Sequence, residues 1–238
     1  MFDNLKEEYE TVKSDRASRP RIDVDIRGIK VVIPSGSGLD PEKLIEQKQD
    51  WIEEKVEKFA EHRKKIPERE FEKGAQWPYL GQSHTLEVKD SESKRVGGSE
   101  SKDENPKIQL NQQKIERTSI REELEYFYRE EARTYITDLV EKWAGKLNYV
   151  YDKIFIRNQR TKWASCSSKS NLNFNFRLMM APPEIIEYIV IHELCHLKHP
   201  NHGARFTRHL SRHCPSYESH EQWLQDNSVK LIFTEEDL

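Results

Sequence analysis

From Pro183 to His199 the chain reads as a helix with no polar side. Ile185, Ile186, Tyr188, Ile189, Val190, Ile191, Leu194, Cys195 and Leu197 point in nearly every direction around it. A helix that is apolar all round belongs in a core. Yet His192, Glu193 and His196 stand in the middle of this run. Burying a carboxylate and two imidazoles is costly unless something binds them, and a divalent metal removes that cost. His192 and His196 lie one turn apart, so their rings project to one side and can converge on one ion. A Glu that follows the first histidine in this pattern takes a proton from water that the metal activates. The spacing fixes only three positions and is weak alone. Here the apolar helix, the start at Ala181-Pro182-Pro183 and the later histidines agree with it. Seven of the nine histidines fall between His192 and His220.

A catalytic zinc site has three protein ligands and one open position. Pro200 ends the helix, and His202, six residues beyond His196, can swing back through a turn. We favour His202 as third ligand, with His199, Glu218 and Glu221 as rivals. The His196-to-His202 spacing equals that of the long metzincin pattern, but His199 stands where that pattern has glycine, so no metzincin assignment follows. One zinc per chain is the expected cofactor, although imidazoles also suit other ions.

The rest of the chain bounds these readings. Its 238 residues suit one large domain or two small ones. Charged residues are 34% against 35% apolar, so the expected surface is heavily solvated. The net charge of -3 gives no global basic field, which argues against nucleic acid as a partner. No apolar run approaches the roughly 18 residues of a membrane span. Met1 to Glu8 is charged rather than a signal core, so a cytoplasmic address is expected. Cys166, Cys195 and Cys214 do not form a disulfide framework.

Residues 1–19 read as a polar tail. Residues 20–117 read as a β-rich N-terminal subdomain with one helix. There, alternation from Arg21 to Ile33 marks a hairpin or bulged strand. Asp40-Pro41 starts a helix toward Arg63 that buries Leu44, Trp51, Ile52, Val56 and Phe59. Trp77 to Gly81 reads as a turn, and 89–105, rich in Ser, Gly and charge, as a mobile loop. Residues 118–238 read as the metal-bearing domain, with a long core helix from Ile120 to Leu147 and a strictly alternating strand from Leu172 to Leu178. Asn173, Asn175 and Arg177 lie on the polar face of that strand. An edge strand there can pair with an extended peptide, which makes these three candidate substrate contacts. Tyr217 is a candidate donor to a developing oxyanion, although a packed aromatic is the commoner role. His209 and His213 share a helical face without a following Glu, so a second metal site is not expected.

Lys162-Trp163-Ala164-Ser165-Cys166-Ser167, Asn171-Leu172-Asn173, Tyr188 through Leu197, Asn201-His202-Gly203 and Phe206 together resemble the YgjP-like group of metal-dependent hydrolases, related to SprT- and WLM-type zinc peptidases. Trp51-Ile52, Gly74 and Tyr79-Leu80-Gly81 extend the resemblance upstream. It implies an α+β zincin-like core with a mixed sheet, His192, His196 and His202 as ligands, and Glu193 as base. Lys162 and Ala164 replace the Arg and Gly usual in the group. An Arg fork and a Lys point charge are not equivalent, so any grip by that position on substrate differs here.

Peptide hydrolysis on an unfolded protein or peptide is the leading expectation. Hydrolysis of a nucleotide phosphoanhydride by the same site is the alternative, with Arg157, Arg160, Lys162 and Arg177 as an anion pocket. A non-enzymatic zinc module is a third reading, opposed by the free Glu193. Action on DNA-bound proteins rests only on the SprT-like kinship and gains nothing from the acidic balance.

Overall fold

A computed structural model describes residues 9–25, 28–90, 96–97, 106–234 and 237. The chain divides into two compact units, one up to Pro67 and one from Glu68 to Asp237. The sequence reading places its boundary near 117. The difference has a physical cause: Trp77, Tyr79, Leu86, Ile108 and Leu110 share one buried cluster with the helices of the C-terminal half.

The first unit is a three-stranded sheet with two helices. β1 (Tyr9–Ser14) lies parallel to β3 (Gly28–Pro34), and β2 (Arg21–Asp25) pairs antiparallel with β3. The expected polar tail is therefore a strand from Tyr9 onward. The tip of the expected hairpin, Ile26-Arg27, and the start of the tail lie outside the described residues. Asp40 caps α1 (Pro41–Gln47) by accepting from the Glu42 N–H at 3.0 Å, with Pro41 in the first turn. The helix breaks at Lys48 and resumes as α2 (Gln49–Arg63). Ile29, Val31, Ile33, Ile45 and Ile52 make this unit's core. Trp51, expected inside, is 40% exposed and carries Lys48 over its ring.

In the second unit β4 (Gln76–Tyr79), β5 (Gln82–Lys89), β6 (Val96–Gly97) and β7 (Lys107–Asn111) form a sheet in the order β4-β5-β7-β6. Trp77 to Tyr79 is thus strand, and only Leu80-Gly81 turns. Most of the expected 89–105 loop lies outside the described residues. After the short α3 (Gln112–Ile115), Ser119 caps α4 (Ile120–Leu147), and Asn148 closes it in the left-handed region at φ 54°. Leu124, Phe127, Tyr128, Ile136 and Val140 are its fully buried stripe.

A second sheet follows. β8 (Ile154–Arg157) runs parallel to β10 (Leu172–Asn175), and β9 (Ala164–Cys166) pairs antiparallel with β10. The expected strand to Leu178 stops at Asn175. Its side chain accepts from the Arg177 N–H at 3.1 Å and caps a 3-10 turn over Phe176–Met180. That turn delivers Pro182 to the start of α5 (Pro183–His196), the metal-motif helix, which is followed by α6 (Ala204–His213) and α7 (Tyr217–Asn227). Nine side chains of α5 are buried. At about 1.5–3 kcal/mol for each large apolar one, burial and not helix propensity holds α5 in place. No helix among the described residues is long and apolar enough to cross a membrane. The three cysteines are free thiols.

Candidate metal centre

Two features fix the start of α5. Gly81, at φ 77°, packs so closely that a Cβ there would meet Pro182 Cα at 3.0 Å. The Leu80 N–H donates to the Met179 carbonyl at 2.7 Å. Farther along, Glu187 accepts from Trp143 Nε1 at 2.7 Å and from Lys142 Nζ at 2.9 Å, tying the helix to α4. With α5 held at these points, His192, Glu193 and His196 have fixed positions.

His202, in the loop before α6, meets them. The Nε2 atoms stand 3.2 Å apart for His192 and His196, 3.0 Å for His192 and His202, and 3.1 Å for His196 and His202. His199, Glu218 and Glu221 stay outside this cluster. His199 contributes in another way. Its carbonyl lies 3.1 Å from His196 Nδ1, which places the proton there and leaves the Nε2 lone pair free. Phe206, 2% exposed, is the apolar floor of the cluster. It stacks on His196 at 4.5 Å between ring centroids and meets His192 and His202 edge-on at 4.9 and 4.8 Å.

The donor set fits a divalent metal. Tetrahedral zinc with nitrogens at about 2.0–2.1 Å separates them by about 3.3–3.4 Å, close to the spacing seen. Burial, then His196 and His202, push the His192 imidazole down to about 3. Burial chiefly lowers His196 as well. Neutral rings present lone pairs, and lone pairs facing each other at this range repel until a cation lies between them. His192 Nδ1 and Glu193 Oε2 are buried without a partner among the described residues.

Glu193 is 5% exposed. Burial pushes its carboxyl up to about 7, opposed by the charge of Lys162 and by a hydrogen bond from the Cys166 backbone. Its surroundings are a cleft of about 580 Å³ lined by Lys162, by the Ala164–Ser168 stretch and by the three histidines. β9 sits at the edge of its sheet, in the order β8-β10-β9.

That order corrects part of the sequence reading. β10 is the middle strand, so Asn173, Asn175 and Arg177 have no free edge to offer. Asn175 is 0% and Arg177 3% exposed. Both donate to the Gln159 carbonyl, at 2.7 and 2.9 Å, and Asn173 Nδ2 donates to the Ser165 carbonyl at 3.4 Å. They brace the segment that carries Lys162. Of the four cations expected to form an anion pocket, only Lys162 lines the cleft: Arg157 lies over Phe155, and Arg177 over Trp163. Tyr217 does not line the cleft, and its hydroxyl donates to Glu218 at 2.9 Å. Cys195 is fully buried outside the metal cluster, its thiol pushed up to about 12 by burial and then by Cys214. The sequence reading missed the His199 carbonyl, the Phe206 floor and the Cys166 N–H. Only Phe206, one turn beyond His202, left a mark in the sequence.

A family model described as YgjP-like, metallopeptidase domain, matches residues 18–227. No curated protein matches the chain. Among solved structures, it is similar to the metallopeptidase zymogen of Methanocaldococcus jannaschii jannalysin, at 27% identity and TM-score 0.36 over 39% of this chain and 96% of that one. The metallopeptidase zymogen of Pyrococcus abyssi abylysin is similar at 22% identity and TM-score 0.36, over 41% of this chain and 99% of that one.

Proposed function

This chain belongs to the YgjP-like metallopeptidase family, and we propose that it is a zinc-dependent peptidase in which His192, His196 and His202 hold the metal and Glu193 is the general base. One observation carries the reading: three Nε2 atoms within 3.2 Å of one another, two of them on the helix that also carries a buried carboxylate with an unpartnered oxygen. When bound, the metal supplies Lewis-acid chemistry, lowering the pKa of water and polarising the scissile carbonyl. The residues supply the rest. The Cys166 N–H orients the Glu193 carboxylate and leaves Oε2 as the proton acceptor. Glu193 takes the proton of the attacking water and passes it to the leaving amine. Its burial favours this exchange, because desolvation raises the carboxyl above the ordinary carboxylate range and so makes it a better base. Lys162 places a positive charge on the cleft wall, opposite in sign to the oxyanion that forms. β9 offers backbone donors and acceptors to an extended chain, which suits a peptide or an unfolded protein.

Hydrolysis of nucleotides draws no support, since Lys162 alone of the expected cations reaches the cleft. The test is zinc-loaded wild type against Glu193→Ala on an unfolded protein, read as new amino termini. Wild type produces them, while the variant keeps its zinc and slows by about 10²–10⁴-fold. Equal cleavage by both would remove Glu193 from the chemistry.

A further inference from the structure

Beside the cleft lies a second hollow of quite different character. It encloses about 330 Å³ and is lined by Lys198, His199, Arg205, Arg208, His209 and Arg212, with no carboxylate among them. On a chain whose net charge is -3, this is a local reversal of sign. Arg205, Arg208 and Arg212 are spaced three and four apart on α6, so they form one stripe along the helix. All three are exposed, and neither they nor Lys198 have an ion pair or side-chain hydrogen bond to any described residue. Elsewhere on the surface cations do find acids: Lys142 pairs with Glu187 at 2.9 Å, and Arg129 with Glu125 at 2.7 Å. Four unpaired cations around a concavity repel one another, and an anion relieves that repulsion.

The position of this hollow says what kind of anion. The loop after α5 is a wall common to both: Leu197, Pro200 and His202 line the cleft, while Lys198 and His199 line the basic hollow. A polypeptide that leaves the cleft across this loop arrives among the arginines. Guanidinium forks match carboxylates two bonds at a time, and the half-buried His199 and His209 complete the lining. We propose that this hollow is an exosite for an acidic segment of the polypeptide substrate, several residues from the bond that is cut. The proposal rests on the peptidase reading for its biological sense, but the binding does not depend on catalysis.

Binding is therefore measured without cleavage. Fluorescence anisotropy follows a labelled peptide carrying four consecutive glutamates, and the same peptide with four glutamines, on the zinc-loaded Glu193→Ala chain. The glutamate peptide binds about tenfold tighter or better, and the preference fades with added salt. Arg205→Gln, Arg208→Gln and Arg212→Gln combined abolish the preference. The corresponding triple Arg→Lys variant keeps most of it, which separates charge from misfolding. Equal binding of the two peptides overturns the proposal, as does an unchanged preference in the Gln variant. A duplex oligonucleotide that binds through these arginines while the glutamate peptide does not would overturn it too and assign the hollow to nucleic acid. None of these readouts needs turnover, so a failure of the peptidase reading is seen separately, as absent amino termini.

Discussion

His192 and His196 stand one turn apart on α5, and His209 and His213 one turn apart on α6. The spacing is the same and the surroundings are opposite. The first pair is joined by His202 on a floor of Phe206, with Nε2 atoms 3.0–3.2 Å apart and Lys162 as the one lysine or arginine lining their cleft. In the second pair the rings of His209 and His213 lie 4.9 Å apart, and His209 also meets the His199 ring at 5.3 Å, bonds to the Tyr149 hydroxyl and lines a hollow with Lys198, Arg208 and Arg212. Fixed positive charge repels a metal ion, whereas converging lone pairs on an apolar floor suit one. The i, i+4 histidine pair is thus only half of a metal motif. The other half is how much positive charge surrounds it, one lysine in the first case and four cations in the second.

The largest expected effect tests that contrast directly. His192→Ala or His196→Ala loses its zinc, whereas His209→Ala and His213→Ala retain a full equivalent by elemental analysis. One equivalent left in His196→Ala would break the comparison. Next in size is Phe206→Ala, which opens a cavity beneath three rings. It should lower unfolding stability by about 3–5 kcal/mol and weaken zinc in chelator competition, although no ligand is changed. Retained affinity with lost stability would show the floor to be packing only. His199→Ala should leave zinc affinity within about threefold, because its contact to His196 is a carbonyl that the substitution keeps. A loss of the 10–100-fold typical of outer-shell partners would mean that the side chain orients the loop. The smallest effect is on pH dependence. His209 is held below its ordinary value by burial and then by His213, His199 and the neighbouring Lys198 and Arg212, and His213 by burial and then by Arg212 and Lys146. The unfolded chain therefore binds more protons below about 6.5, the usual imidazole value, and stability falls as pH drops through it. His209→Gln/His213→Gln should flatten that acid limb in denaturant titrations. An unchanged limb would place the loss elsewhere.

Much of this was readable in the residues. The apolar ring of side chains around α5 reports burial directly, Asp40-Pro41 carries local cap chemistry, and the apolar period from Ile120 marks α4, so those helices begin where the sequence puts them. Strand order was not readable. Leu172 to Leu178 alternates as an edge strand would, but β8 pairs on one side and β9 on the other, which buries Asn175 and turns a polar face into a brace. Pairing partners far apart in the chain leave no local trace. Trp51 shows the converse, since its helical spacing matches the buried stripe while the break at Lys48 accompanies an exposed ring. Backbone donors and acceptors, such as the His199 carbonyl and the Cys166 N–H, are invisible in principle, because every residue carries them.

The contact of Gly81 with Pro182 has one more consequence. A segment that begins near residue 118 would carry every proposed metal ligand and the proposed base, and on paper would be a minimal enzyme. It would lack the turn against which the ligand helix begins and the Trp77, Leu86 and Ile108 side chains of the same core. Such a fragment is not a portable cassette. Grafts, fusions and truncations of this protein must cut ahead of Glu68, where the compact unit itself begins.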